Sequence, residues 1–420
     1  MATRLLSNHP VQETRANQRN WRTALGWWVV AGALGVLIRY QLVYPVAGLT
    51  YPFLLHAHSH VVLLGWTFNA LFLALAATFG SGLRLSAYRK VWVGFQVAVL
   101  GMLLFFPTQG YATGSIVAST LHVFVSYYMV WCLWQDLRSD NSLSARLVRW
   151  GLFFFVLSTL GPYSVGILKA RHLQETIWYP LSIYFYLHFL YNGWFIFGCL
   201  ALLFRWLENW ELVPTKQVGN RFIRAMALSA MGTLALSALW TNPPGWLWLI
   251  GGGAALLQAG SGVWLLGWLW QKRSALCQQL EPQAFALARL AFLSLGLKLM
   301  LQLLSALPWA TQLAYAQRNL VIAYLHLVFI GVITFFLLAW AFQQGYIRRS
   351  GLAIGLISLF FMLTESVLVT ESLCQQGSSY VPHLGEWLLA LSVGLWIGVL
   401  LLWVRQLPVH VYRSFSLFRR

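Results

Sequence analysis

Three histidines at alternate positions, in Phe53-Leu54-Leu55-His56-Ala57-His58-Ser59-His60, open an apolar run that continues through Leu64, Leu71, Leu73 and Phe79. Imidazole is the commonest metal ligand and an axial ligand of heme iron. On a helix His56 and His60 share one face, whereas His58 lies about 200° round from His56. One heme therefore cannot take all three. Further histidines, His122, His188 and His326, stand inside other apolar runs, and Lys298 does so in Leu295-Gly296-Leu297-Lys298-Leu299-Met300. A polar group in hydrocarbon costs free energy unless it finds a partner or lines a site, so each is a functional candidate. For Lys298 the charge would cost about 2.5 to 3.5 kcal/mol on an insertion scale, which calls for a partner such as Glu365, a polar cavity or snorkelling.

The elements that position these residues are membrane-length helices. With about 20 apolar residues per span, twelve are expected, near 23–44, 56–79, 90–107, 113–135, 148–169, 178–205, 222–241, 245–270, 284–308, 319–343, 352–371 and 385–404. Breakers fall between them: Pro45 and Pro52, Pro107, Pro243-Pro244, Pro308 and Pro382. Apart from Arg39, Lys169, Arg171, Arg318 and Lys298, every Lys and Arg lies on a tail or on every second connection. The positive-inside rule then places both termini in the cytoplasm. The expected organisation is a cytoplasmic tail over residues 1–22, one integral domain over 23–404 and a cytoplasmic tail over 405–420. The longest connection, near residues 206–221, is too short to fold alone.

Composition agrees. Of 420 residues 59% are hydrophobic and 9% charged, outside the range of soluble globular domains. The net charge of +18 sits in short loops and forms no nucleic-acid motif, so no nucleic-acid partner is expected and membrane lipid is. Cys132, Cys199, Cys277 and Cys374 are scattered, without the spacing of a disulfide framework or a covalently attached heme. The N-terminus lacks a cleavage-site pattern.

Alternate spans run in opposite directions, so topology gives each histidine a depth. His56, His58 and His60 on the second span, His122 on the fourth, His188 on the sixth and His326 on the tenth all fall in the outer halves. The bland reading of each is a helix-to-helix hydrogen bond, and for His122, beside Thr120 and Ser126, that is the preferred one. His172 and His383 read as loop residues, and His9 and His410 as tail residues. Arg39, Arg171 and Arg318 at the outer ends could bind propionates or serve as flanking anchors. Trp66 and Trp194 lie inside spans near candidate ligands.

Twelve spans with histidines on the second, sixth and tenth resemble the catalytic subunit of heme-copper oxidases, particularly the cbb-type oxidases and the related nitric oxide reductases. The resemblance implies a heme-copper oxidase subunit I-like bundle and a low-spin heme b between a second-helix and a tenth-helix histidine. Counting back from Asn69 points to His58, and matching His-x4-Gly to Gly65 points to His60; both stay open. On the tenth helix His326, followed by Gly331, matches the low-spin ligand. On the sixth, His188-Phe189-Leu190-Tyr191-Asn192-Gly193 looks like the reductases' His-Leu-Trp-Val-Glu-Gly. Tyr324 occupies the place of the active-site heme ligand. Where the seventh helix would carry a histidine pair for copper, the chain reads Trp240-Thr241-Asn242-Pro243-Pro244-Gly245-Trp246, leaving His188 as the one copper-type ligand of that set. A shorter match, His-Ala-His, is similar to the NnrS family of twelve-span heme and copper proteins of nitric oxide stress, and would pair His58 with His60.

The resemblance implies an all-α polytopic hemoprotein of a bacterial inner membrane. It would work in electron transfer or an oxygen- or nitric-oxide-related respiratory step, with other respiratory subunits or a small electron donor as partners. A twelve-helix transporter with a His, Lys298 and Glu365 path is the competing class, against which stand the missing repeat between the halves and the single depth of the histidines. An oxidase or reductase with an unusual centre is the third.

Overall fold

A proline at the first or second position of a helix removes an amide that has no intrahelical partner anyway. Pro52 takes that place in a helix that starts at Tyr51. The second span therefore starts before the expected residue 56, and His56, His58 and His60 lie within the helix instead of at its mouth. Pro282 and Pro308 start helices in the same way, whereas Pro107 is accommodated near the end of the helix Leu85–Gln109.

The structure, a computed structural model, describes residues 9–376 and 382–408. Among them twelve helices are long and apolar enough to cross a membrane: α1 Ala16–Val43, α2 Tyr51–Phe79, α3 Gly82–Gln109, α4 Thr113–Leu137, α5 Leu143–Ala170, α6 Trp178–Asn209, α7 Lys216–Thr241, α8 Gly245–Gln271, α9 Pro282–Leu304, α10 Arg318–Gln343, α11 Gly351–Gln375 and α12 Leu384–Val404. No strand occurs among the described residues. The protein is an all-α, multi-pass membrane protein, as the apolar runs require when every backbone amide must be satisfied within its own segment. The first helix extends back to His9, into the stretch expected as a tail. Of the expected tails, residues 1–8 and 409–420, with His410, lie outside the described residues.

The described residues divide into two units, one holding those up to 74, 89–125 and from 338 on, the other holding residues 75–88 and 126–337. In the first unit α1 packs on α2 and α12, and α11 on α12. Tryptophans form much of this core: Trp66 stacks on Trp28 at 5.0 Å and meets Trp21 edge-on, and Trp21 stacks on Trp340 at 6.0 Å. Trp66 is thus a packing residue. Gln96 accepts the Trp27 indole N–H and tethers α1 to α3.

In the second unit α5 packs on α6, α7 on α8, α8 on α9, and α9 on α10. Its short connections are fixed by carboxylates. Asp136, with its side chain 1% exposed, accepts the Ser81 N–H and hydroxyl and the Tyr88 hydroxyl, and pairs with Arg84. Arg205 pairs with Asp140, and Glu208 accepts the Ser144 N–H and hydroxyl. Burial alone would raise the Asp140 carboxyl, but hydrogen bonds from Ser142 and Arg205 outweigh it and hold the group below the usual carboxylate range. The seventh span ends in a tight 3-10 stretch, Thr233–Thr241, stopped by Asn242 in the left-handed region just before Pro243. That is where the resemblance would place a histidine pair.

Candidate functional site

In α2, α6 and α10 a histidine ends a regular α-helix and a π-helix begins at the next residue. The π segments are Val61–Thr67 after His60, Phe189–Phe195 after His188 and Leu327–Thr334 after His326. Each histidine is followed five residues later by glycine: Gly65, Gly193 and Gly331. The exit amides reach back five residues, Phe68 N–H to the Leu63 carbonyl, Ile196 to Tyr191 and Phe335 to Ile330. A π-helix closes its turns through i to i+5 bonds, is rare, and is frequent at functional sites. The same α-to-π change follows a histidine on every fourth helix.

Around α2 the three histidines have different surroundings. The His58 Nδ1 lies 2.8 Å from the Ala31 carbonyl oxygen on α1. A carbonyl only accepts, so Nδ1 carries the proton and Nε2 the lone pair of the neutral ring. Ligating histidines are held in this way, with one N–H on a carbonyl and the other nitrogen on the metal. The ring lies against Gly35, where a Cβ would come within 3.1 Å of the His58 Cε1. His60 donates from Nδ1 to the His56 carbonyl at 2.9 Å, and its Nε2 lies 3.3 Å from the Tyr111 hydroxyl. His56 faces the Tyr111 ring at 4.6 Å. His122 is buried between Phe68 and Phe95, with ring centroids 4.9 and 4.7 Å away.

The second unit holds a buried polar chain. His188, 4% exposed, donates from Nε2 to the Ala230 carbonyl at 2.8 Å and accepts at Nδ1 from the Asn192 amide at 3.2 Å. Both ring nitrogens are thereby used inside the protein. The Asn192 carbonyl accepts from Lys298 Nζ at 2.6 Å, Lys298 also donates to the Gln302 carbonyl, and the Gln302 amide donates to Gln258 at 2.6 Å. Four helices, α6, α7, α8 and α9, contribute to this chain. Lys298 is 1% exposed, and the amide oxygens of Asn192 and Gln302 give it a buried polar surrounding, one of the three alternatives expected for it. Amide dipoles can solvate a buried ammonium without a counter-charge, at some cost in desolvation.

His326 and Tyr324 are half-buried on α10, with the Tyr324 ring 6.4 Å from that of Tyr191, and Arg318 is exposed at the start of the same helix. His172 and Arg171 are exposed in a connection. His383 lies 3.4 Å from the Glu386 carboxylate at the start of α12. Trp194 is fully buried. Among the described residues no three His, Cys, Asp or Glu side chains come together as a metal-binding group.

Sequence reasoning singled out the three histidine positions but missed Asn192, Gln302 and Gln258 as partners of Lys298. A signal was present: Lys298 and Gln302 stand four apart and therefore on one face. No protein-family model matches the chain, and no curated protein matches it either.

Proposed function

We propose that the protein is a b-type hemoprotein of a bacterial inner membrane, with both termini cytoplasmic, in which His58 is an axial ligand of a low-spin heme. The observation that carries this reading is the His58 Nδ1–H bond to the Ala31 carbonyl, with Gly35 clearing space beside the ring. It fixes the tautomer that a ligand needs, leaving Nε2 as the donor atom. His60, whose Nδ1 donates to the His56 carbonyl of its own helix, is the alternative ligand on α2, and the choice of His58 rests on its anchoring to a second helix through Ala31. The second axial ligand is proposed, on the sequence resemblance alone, as His326.

A heme held by two imidazoles has no open coordination position and supplies one-electron transfer. The residues of this chain would hold and orient it. His58 is tethered to α1 by its bond to the Ala31 carbonyl. His188 is assigned to the polar chain with Asn192 and Lys298, not to a copper centre, since both its nitrogens have protein partners. The proposed role is electron transfer within a respiratory assembly, and reduction of oxygen or nitric oxide is not part of it.

The test is the spectrum of the detergent-purified protein. Sharp reduced α and β bands and a pyridine hemochrome of heme b are expected, with a near-infrared magnetic circular dichroism band of bis-imidazole iron. Well-folded protein with no heme after expression in a heme-replete host would overturn the proposal.

A further inference from the structure

We propose that the end of the second unit where α7 starts, α8 ends and α9 starts binds the headgroup of an anionic phospholipid, with Lys272, Arg273 and Arg289 as its phosphate-binding residues. The site does not depend on heme binding.

The sequence concentrates positive charge here. Between residues 211 and 289 the basic side chains are Lys216, Arg221, Arg224, Lys272, Arg273 and Arg289, and the acidic ones are Glu211 and Glu281. Packing then gathers the bases at one end of three helices. Gly262 on α8 faces Leu299 on α9, and a Cβ on Gly296 would come within 3.3 Å of Leu266, so the antiparallel register sets Lys272 level with Arg289. Phe222 on α7 meets Trp264 on α8 at 5.1 Å, which brings Lys216 and Arg221 level with the last two turns of α8. Lys272 is half-buried and the other five are exposed. Among the described residues none of the six forms an ion pair with a carboxylate.

Aromatic rings seat three of these cations instead. Lys272 Nζ lies 5.4 Å from the centroid of the Trp268 ring, Arg273 Cζ 4.8 Å from that of Trp270, and Arg289 Cζ 5.8 Å from that of Phe285. Trp268 is itself fixed, donating its indole N–H to the Leu212 carbonyl at 3.2 Å and stacking on Trp264 at 6.0 Å. A cation on a ring face is held in place while its N–H groups remain available to oxygen acceptors. Arg273 gives one of its five to the Trp270 carbonyl at 3.0 Å, and the rest of the guanidinium fork matches phosphate geometry. The positive-inside rule accounts for the sign of this rim, but not for the seating of its charges on rings.

Charge complementarity calls for an anion, and the surface below the rim calls for one with a hydrocarbon tail. Trp270, Val263, Leu256 and Leu249 are all exposed and stand seven apart, so an apolar ridge runs from the basic rim along α8. On the strip beside it Gly267, Gly260 and Gly253 have nothing within 4 Å of where a Cβ would stand. An acyl chain hanging from a phosphate at Lys272 and Arg273 lies along that strip. Tryptophan favours the headgroup level of a bilayer, and basic residues at that level attract anionic lipid. An acidic soluble partner would match the charge but not the apolar face.

The test uses full-length protein, delipidated in neutral detergent and titrated with phosphatidylglycerol or phosphatidylcholine, with lipid-bound species counted by native mass spectrometry. Phosphatidylglycerol is expected to bind at least about tenfold more tightly. Each basic group removed weakens the attraction about fivefold, so the double variant Lys272→Gln, Arg273→Gln should lose about 25-fold for phosphatidylglycerol and keep its affinity for phosphatidylcholine. Trp270→Leu, which keeps apolar bulk and removes the ring, should weaken binding about two- to fivefold. Arg89→Gln with Lys90→Gln removes the same charge from α3 and should change it less than about twofold. Equal affinity for the two lipids, or an equal loss in the α3 variant, would overturn the proposal. So would displacement of phosphatidylglycerol by a soluble polyglutamate peptide, or equally tight binding of inorganic phosphate.

Discussion

Asn192→Leu should destabilise the protein, and Lys298→Met should reverse much of that loss. Asn192 accepts a charge-assisted bond from Lys298 and donates a neutral one to His188, both buried. Losing a bond to a charged group costs about 1.5 to 3 kcal/mol and a neutral one about 0.5 to 1.5, so the single change is expected to cost about 2 to 4.5 kcal/mol. Lys298→Met alone removes the charge and leaves the Asn192 and Gln302 carbonyls to reorient. In the double variant the most expensive defect, an ammonium stripped of one of its two acceptors, no longer exists. The coupling energy is therefore expected at about 1.5 to 3 kcal/mol, above the 0.6 kcal/mol average of interhelical hydrogen bonds in a membrane protein. Unfolding in mixed detergent, followed by the fluorescence of the 23 tryptophans, measures all four corners of the cycle. Effects that add within about 0.5 kcal/mol would refute the network as a coupled unit.

Gly35→Val places a side chain where a Cβ already comes within 3.1 Å of the His58 ring, so it should push the imidazole off the Ala31 carbonyl. Heme content of the purified protein is expected to fall while its size-exclusion profile is kept; full heme occupancy would argue against His58. The Asp140 carboxyl is held below its usual range, so its contribution to stability is present above the ordinary carboxylate pKa of about 3.9 and lost as pH falls through the lowered folded value. Asp140→Asn should therefore flatten the acid limb of a melting-temperature profile below about pH 4, and an unchanged limb would refute the assignment.

The number and type of helices were legible because apolar runs of membrane length and alternating basic connections are long-range features of the chain. Ends were less so. Pro52 reads equally as a breaker and as a helix-starting residue, and only the structure shows it near the start of the helix from Tyr51. The histidine positions stood out, but the π-helices behind them did not. The residues of Val61–Thr67 and Leu327–Thr334 are apolar and helix-compatible, and a change from i+4 to i+5 bonding leaves no mark on hydropathy. His58 and His60 could not be separated by helical periodicity, since what distinguishes them lies on other segments: Ala31 on α1 and Tyr111 beyond α3. Lys298 was visible as a charge needing company. An acid, a polar cavity and snorkelling were all open to it, and the structure supplies the neutral amides of Asn192 and Gln302, which lie far from Lys298 or on its own face and so cannot be ranked from sequence.

The most direct test of the central claim is heme stoichiometry in purified wild-type protein and in His58→Ala, His60→Ala and His326→Ala, by pyridine hemochrome against protein concentration. Heme b in the wild type and in His60→Ala, lost from His58→Ala and His326→Ala, is the expected result. Heme retained in His58→Ala, or none in folded wild-type protein, would contradict it.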